Sequence, residues 1–191
     1  MIRIHRDPNP PAIDAFTKQT VKLPGGTKIT RAQNELEQAI AFFTDPANFK
    51  NDTKLSKKTF TFRVYKDPAV VKALEAVFGN KCAYCESRFA HVTPKDIEHF
   101  RPKSKIEDRD KPPLLTGYFW RAGEWTNLLV SCPDCNRARN HEVPGQTKKV
   151  RLGKQAQFPL RDESGRVRSH TANVATQTSH APLDAFGSEW A

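Results

Sequence analysis

Every cysteine of this chain falls in one of two identical spacings, Cys82-Ala83-Tyr84-Cys85 and Cys132-Pro133-Asp134-Cys135, and none is left over. A Cys-x-x-Cys step puts two thiolates on one tight turn, and two such turns supply the four soft ligands that a tetrahedral structural zinc ion prefers. The fold must therefore bring two segments that are far apart in sequence to one point. The segment Met1 to Pro11 has neither an apolar core nor a cleavage site, so the thiols are expected to stay reduced and a disulfide framework is not expected.

With 191 residues, the chain has room for one domain with extensions. Its 14 prolines, 9 glycines and 37% apolar residues describe a globular but loop-rich chain. No stretch approaches the roughly 20 apolar residues of a membrane span, so the chain reads as soluble and cytoplasmic, with no membrane partner. Thirty-one Lys and Arg stand against 21 Asp and Glu, a net charge of +10, and the stretch from Arg101 to Arg161 holds 13 basic and 6 acidic residues. That local excess beside the cysteine motifs points to a polyanionic partner, with a solubilising surface as the alternative.

The first 30 residues, broken by Pro10-Pro11 and Pro24-Gly25-Gly26, read as an extended arm. A helix is predicted from Thr30, its cap, to Phe43, ended by Asp45-Pro46. Thr59 to Tyr65 alternates like a short strand. Asp67 and Pro68 open a second helix that stops at Gly79 and delivers the chain to the first cysteine pair. Asp96 to Phe100 reads as a strand, Arg101-Pro102-Lys103 breaks it, and a charged loop runs to Pro113. Tyr118, Phe119, Trp120 and Trp125 form an aromatic group, read as core beneath that loop rather than as a stacking platform. Asn136 to His141 is predicted to form a short helix, and from Asp162 onward the chain is polar.

Between and after the cysteine pairs stand Glu98-His99, Asn127-Leu128 and Asn136. In this order the stretch from Lys81 to His141 resembles the HNH endonuclease superfamily in its zinc-knuckle version. The resemblance implies an α+β fold: a ββα-metal (HNH, or His-Me finger) core with a four-cysteine zinc knuckle, flanked here by N-terminal helices. The implied organisation is a basic arm and helix over 1–66, the nuclease domain with its knuckles over 67–161, and a polar tail over 162–191 that is truncated or docks on a partner.

Carried over position by position, the resemblance makes His99 the general base, suited by an ordinary imidazole pKa near 6.5. It makes Glu98 and Asn136 the ligands of a catalytic cation, Mg2+ or Mn2+, since hard cations prefer oxygen. Asn127 braces the loop and orients the base. Arg139, one helical turn beyond Asn136, would grip a phosphate, with Asn140 and His141 as alternative contacts. Cys82, Cys85, Cys132 and Cys135 would hold the structural Zn2+. The implied reaction is phosphodiester hydrolysis leaving 5′-phosphate and 3′-hydroxyl ends.

The phrases Lys81-Cys82-Ala83-Tyr84-Cys85-Glu86, Ile97-Glu98-His99-Phe100-Arg101-Pro102-Lys103, Trp125-Thr126-Asn127-Leu128 and Phe158-Pro159-Leu160 narrow the resemblance to the PtuB-type branch of these nucleases. It then runs from about Pro68 to Leu160. That branch implies an effector working with an ATPase subunit of the PtuA type in Septu antiphage systems and in some retron systems. The branch is expected to continue with structured sequence beyond Pro159-Leu160, whereas this sequence reaches Ala191 soon after Pro182-Leu183; a truncated chain and a shortened member both fit.

Two other function classes stay open in the sequence: a zinc-stabilised nucleic-acid-binding module without catalysis, and a regulatory subunit that docks on an ATPase. Lys148, Lys149, Arg151 and Lys154 form a basic run expected to contact nucleic acid, DNA or RNA. Lys103, Lys105, Arg109 and Lys111 read either as a phosphate-tracking loop or as a solvated one, with Glu107, Asp108 and Asp110 weakening the first reading.

Overall fold

Caps and apolar spacing locate both long helices of the computed structural model, which describes residues 6–51, 54–56, 59–107, 113–160 and 163–171. In place of an extended arm, a one-turn helix α1 (Asp14–Thr17) precedes a hairpin of β1 (Gln19–Lys22) and β2 (Lys28–Thr30), with the Pro24-Gly25-Gly26 breaker at its turn. Helix α2 (Arg31–Thr44) opens with a capping box: the Thr30 hydroxyl accepts from the Gln33 N–H at 3.1 Å, and the Gln33 side chain accepts from the Thr30 N–H at 2.9 Å. Strands β3 (Phe49–Asn51) and β4 (Lys54–Leu55) pair next.

Thr59 to Tyr65 forms no strand. The chain instead enters a single 3-10 turn over Val64–Lys66, and the Glu35 carboxylate on α2 accepts from the N–H groups of both Arg63 and Val64, the latter at 3.0 Å. A side chain thus takes the donors that a neighbouring strand would have used. Helix α3 (Pro68–Phe78) follows with Asp67 as cap, its carboxylate accepting from Ala69 N–H at 2.9 Å, and it buries Val70, Leu74 and Phe78 as one stripe.

The segment that positions the site is an antiparallel ribbon of β5 (Asp96–His99) and β8 (Leu128–Ser131), in the register Asp96 to Ser131 and His99 to Leu128. The long excursion between them contains the paired β6 (Lys105–Ile106) and β7 (Leu114–Leu115) and two 3-10 turns, Phe119–Arg121 and Trp125–Asn127. The sequence expectations for residues 108–112 and for the tail beyond 171 lie outside the described residues. Every residue of β8 is buried, and α3 packs over it with Phe100, Tyr118, Trp125 and Phe158 in the principal core. A second core joins Ala39 and Phe43 of α2 to Phe62, Phe119 and Ala122. Tyr118, Phe119 and Trp125 are therefore core, as their clustering suggested.

The expected helix over Asn136 to His141 is not formed. Pro133 starts a single turn, α4 (Pro133–Asn136), inside the second cysteine pair, and the chain then runs into β9 (Arg139–His141), which pairs with β10 (Val150–Leu152). Pairing with β10 satisfies the backbone that a longer helix would have satisfied internally. No described helix is long and apolar enough to cross a membrane.

Candidate active site and thiolate cluster

At the Ser131 end of the ribbon the two cysteine pairs meet. The Ala83 N–H donates to the Val130 carbonyl at 2.8 Å, which stitches the first pair to β8. The four sulfur atoms lie within 4.8 Å of one another, and Cys85 and Cys132 are 3.9 Å apart. A tetrahedron with Zn–S bonds of about 2.3 Å has edges of about 3.8 Å, so the spacing suits zinc. Cys82 Sγ accepts from the N–H groups of Cys132 (3.3 Å) and Tyr84 (3.4 Å). With a hydrogen bond from the Cys135 thiol as the largest cause, these donors pull Cys82 down to about 4, and the same contact pushes Cys135 up. The donor set is soft, and none of the four cysteines is in a disulfide.

At the other end of the ribbon stands His99, 4% exposed. Its Nε2 lies 3.0 Å from the Ala122 carbonyl. A carbonyl can only accept, so Nε2 carries the hydrogen and Nδ1 keeps the lone pair. Burial, and then the Lys103 ammonium, lowers the imidazole to about 3, so the ring is neutral at physiological pH. Tyr65 packs edge-on to the ring with centroids 4.6 Å apart, and Lys103 Nζ sits 3.3 Å from Nδ1.

Asn127 explains why the Ala122 carbonyl is where His99 needs it. The side chain is 2% exposed; Nδ2 donates to the carbonyls of Arg101 (3.1 Å) and Arg121 (3.0 Å), and Oδ1 accepts from Arg101 N–H at 2.8 Å. One amide thereby ties the exit of β5 to the turn that carries Ala122.

Glu98, also buried, points from β5 to the face opposite His99, where Lys154 Nζ pairs with its carboxylate and donates to the His99 carbonyl at 2.9 Å. Burial pushes the Glu98 carboxyl up against the pull of Lys154, and burial pushes Lys154 down against the pull of Glu98. Lys154 rides on a strap that crosses the exit of the second cysteine pair. Its N–H donates to Cys135 O at 2.7 Å, and the Gln155 N–H donates to Asn136 O at 2.8 Å. Gly153 permits this approach, because a Cβ there would stand 2.0 Å from the Arg137 carbonyl oxygen.

Asp96 shares the Glu98 face of β5. Arg137 donates to it at 2.6 and 2.8 Å and Asn136 Nδ2 at 3.0 Å. Burial would push this carboxyl up, but Arg137 and Asn136 hold it below the usual carboxylate range. Asp96, Glu98 and Asn136 are thus hard oxygen donors on one side of the ribbon. Among the described residues, however, the four cysteines are the one group of three or more His, Cys, Asp or Glu side chains close enough to hold a metal together.

Several expected positions are rearranged. Arg139 lies in β9, not on a helix with Asn136, and its guanidinium pairs with Asp134 at 2.6 Å. Lys148, Lys149 and Arg151 are exposed around the β9–β10 hairpin, with Lys149 3.3 Å from Glu142. Lys154 is not part of that surface, because the Gly153 turn directs it inward to Glu98. Sequence reasoning did not find Tyr65, nor the separation of Lys103 from the charged loop. The signal available for Lys103 was its place four residues after His99 in the Glu98 to Lys103 phrase.

No family model matches the chain, and no solved structure matches it. Septu protein PtuB of Bacillus mycoides (strain KBAB4) is 36% identical over 148 residues, which cover 73% of this chain and 45% of that protein. Septu protein PtuB of Bacillus thuringiensis is 35% identical over 74 residues, 38% of this chain and 24% of the relative. The chain therefore spans less than half the length of the curated relatives it matches. Over most of its own length, this chain is homologous to the Septu protein PtuB.

Proposed function

We propose that this chain is a metal-dependent endonuclease of the HNH type that hydrolyses nucleic-acid phosphodiester bonds, acting as the PtuB-like component of an antiphage system beside an ATPase of the PtuA type. The observation that carries the reading is His99: a neutral imidazole fixed through Nε2 to Ala122, with its basic nitrogen turned toward the Lys103 ammonium. The tautomer leaves Nδ1 as the acceptor that a base needs beside a phosphate, while burial and the Lys103 ammonium hold the ring, expected near 6.5, down to about 3 in the chain without substrate. Asn127 sets the orientation of the base through the turn that holds Ala122. Homology to PtuB supports the defence role.

Glu98 and Asn136 would hold the catalytic Mg2+ or Mn2+, and their oxygen donors fit a hard cation. The Glu98 carboxylate already takes one positive charge, the Lys154 ammonium. A divalent ion bound there supplies Lewis-acid stabilisation of charge on the phosphate. The chain's own residues do the rest: His99 receives the proton at Nδ1, Lys154 holds the backbone of His99, and the four cysteines, which would hold zinc, gather the far end of the ribbon.

The deciding experiment is cleavage of plasmid DNA and of tRNA by the zinc-loaded protein, with magnesium or manganese added and with and without a PtuA-type ATPase. Cleavage should fall about 10²- to 10⁴-fold in His99→Ala with zinc content unchanged. A second reading, a zinc-stabilised nucleic-acid binder without catalysis, is favoured by the Lys154 ammonium on Glu98. Binding that is indifferent to His99→Ala, with no cleavage under any of these conditions, would establish it.

A further inference from the structure

Three lysines converge on the candidate site. Lys154 pairs with Glu98, Lys103 lies against Nδ1 of His99, and Lys66 follows Tyr65 on the 3-10 turn, close enough for its charge to act on Lys103. Among the described residues, Glu98 is the carboxylate that pairs with Lys154 and whose charge acts on Lys103. Positive charge is left over beside a neutral base, in a place where Lys103 is half-buried.

Lys103 is also held there by design of the backbone. The Tyr118 N–H donates to Pro102 O at 2.7 Å and the Gly117 N–H donates to Ser104 O at 3.1 Å, so the chain clamps both sides of residue 103. The clamp requires glycine: a Cβ on Gly117 would lie 2.2 Å from Pro102 O and 3.1 Å from the Lys103 carbonyl carbon. The Lys103 ammonium lies 4.7 Å from the Tyr65 ring centroid, over its face. A solvated surface lysine has none of these constraints.

We infer that Lys103 is the ligand of the substrate's scissile phosphodiester and covers Nδ1 of His99 until that phosphate draws it away. This inference rests on the nuclease reading and adds a residue to it. With no substrate, the ammonium donates to the nitrogen that must accept a proton from water, so the base is masked. A phosphodiester oxygen is a stronger acceptor for an ammonium than a neutral imidazole. When it takes Lys103, Nδ1 becomes free to face water at the moment the phosphorus is in place. Tyr65 supplies the face over which the ammonium turns.

The test uses the zinc-loaded full chain with no magnesium or manganese added, so that binding is read without cleavage. Affinity for a short fluorescent DNA duplex and for its RNA counterpart is measured as a function of salt in wild type, Lys103→Met and Lys103→Arg, with inorganic phosphate as a separate ligand. Lys103→Met should bind about tenfold more weakly near 0.1 M salt and lower the slope of log affinity against log salt by about one; Lys103→Arg should restore both. The ring ¹⁵N signal of His99 Nδ1 should shift on oligonucleotide addition in wild type and stay still in Lys103→Met. Zinc content and thermal melting confirm that each variant is folded.

Oligonucleotide binding with equal affinity and slope in wild type and Lys103→Met would overturn the inference and leave the nuclease reading standing. Binding of inorganic phosphate through Lys103 without binding of either oligonucleotide would overturn both the nucleic-acid substrate and the nuclease reading. The absence of any binding would do the same.

Discussion

The two ends of the β5–β8 ribbon solve different problems with different materials. At the Ser131 end, four thiols gather within 4.8 Å, and one of them, Cys82, accepts from N–H groups of both turns. At the His99 end, an imidazole depends on a carbonyl 23 residues away, on a brace from Asn127, on Tyr65 just before α3 and on Lys103 beyond the strand. The thiolate end is locally self-sufficient and asks only for a metal. The His99 end is assembled from distant segments and carries surplus positive charge around a buried ring. A ribbon held firmly at one end can present a charged, preorganised site at the other.

The comparison breaks first if the thiolate end is not what holds the ribbon. Stripping zinc with a chelator, or making Cys132→Ser, should abolish cooperative unfolding of the whole chain. Structural zinc contributes about 10–16 kcal/mol of binding free energy in small metal-dependent domains. Circular dichroism and zinc stoichiometry would check it. A chain that keeps its native melt without zinc would show that α3 and the aromatic core hold the ribbon unaided.

The next effect belongs to the junction between the ends, where Lys154 leaves the cysteine exit and reaches Glu98. Glu98 is buried and Lys154 is 14% exposed, so removing one charge leaves the other largely uncompensated, which costs about 3 kcal/mol. Glu98→Gln should show that loss in urea unfolding, and the double variant Glu98→Leu with Lys154→Met should recover most of it. If the double variant is no better than the single one, the strap is held by its backbone bonds to Cys135 and Asn136 and the ion pair contributes little.

What the sequence disclosed follows the same division. The cysteine pairs, the caps Thr30 and Asp67 and the apolar stripe of α3 depend on residues one to four positions apart, and periodicity reports such spacings directly. The strand expected at Thr59 to Tyr65 failed because Glu35, on another element, captures the backbone donors. The helix expected at Asn136 failed because β10, supplied later in the chain, offers β9 a partner. Lys154 belongs to a basic run in composition, and only the close approach of Gly153 to Arg137 turns it inward. His99, Glu98 and Asn127 were named from motif order, while the contacts that set their chemistry, Ala122, Lys103 and Tyr65, are tertiary and left no periodic trace.

A similar effect is expected at Asn127, which serves the His99 end alone. Asn127→Ala leaves the carbonyls of Arg101 and Arg121 and the Arg101 N–H without their partner in a buried place. The loss should be about 3 kcal/mol by denaturant unfolding, with zinc stoichiometry intact. Asn127→Asp keeps the acceptor for Arg101 N–H but loses the donors, and should fall between. Loss of zinc in either variant would mean that the two ends are not energetically separable.

The smallest effect is the pH dependence of the His99 end. The imidazole is lowered to about 3 by burial first and then by Lys103, with Lys154 acting in the same direction and the Ala122 hydrogen bond opposing. Glu98 faces the opposite side of the strand and Tyr65 packs against the ring. In the unfolded chain the same imidazole titrates near 6.5. Between these values the unfolded chain binds the extra proton, so stability is fully present above about pH 6.5 and is lost as pH falls toward 3. The loss is at most about 1.4 kcal/mol per pH unit, or about 2 kcal/mol from pH 6.5 to 5. Asp96 and Asp67, both held below the usual carboxylate range, do not contribute until lower pH, and Glu98, pushed up by burial, takes up its proton first in the folded chain and so acts against the decline. Thermal melts of the zinc-loaded protein from pH 8 to 5 should be flat and then decline, and His99→Gln should remove the decline because a glutamine amide can still donate to Ala122 without titrating. A decline that persists in His99→Gln at constant zinc content would place the proton uptake elsewhere and remove His99 from its buried, neutral state.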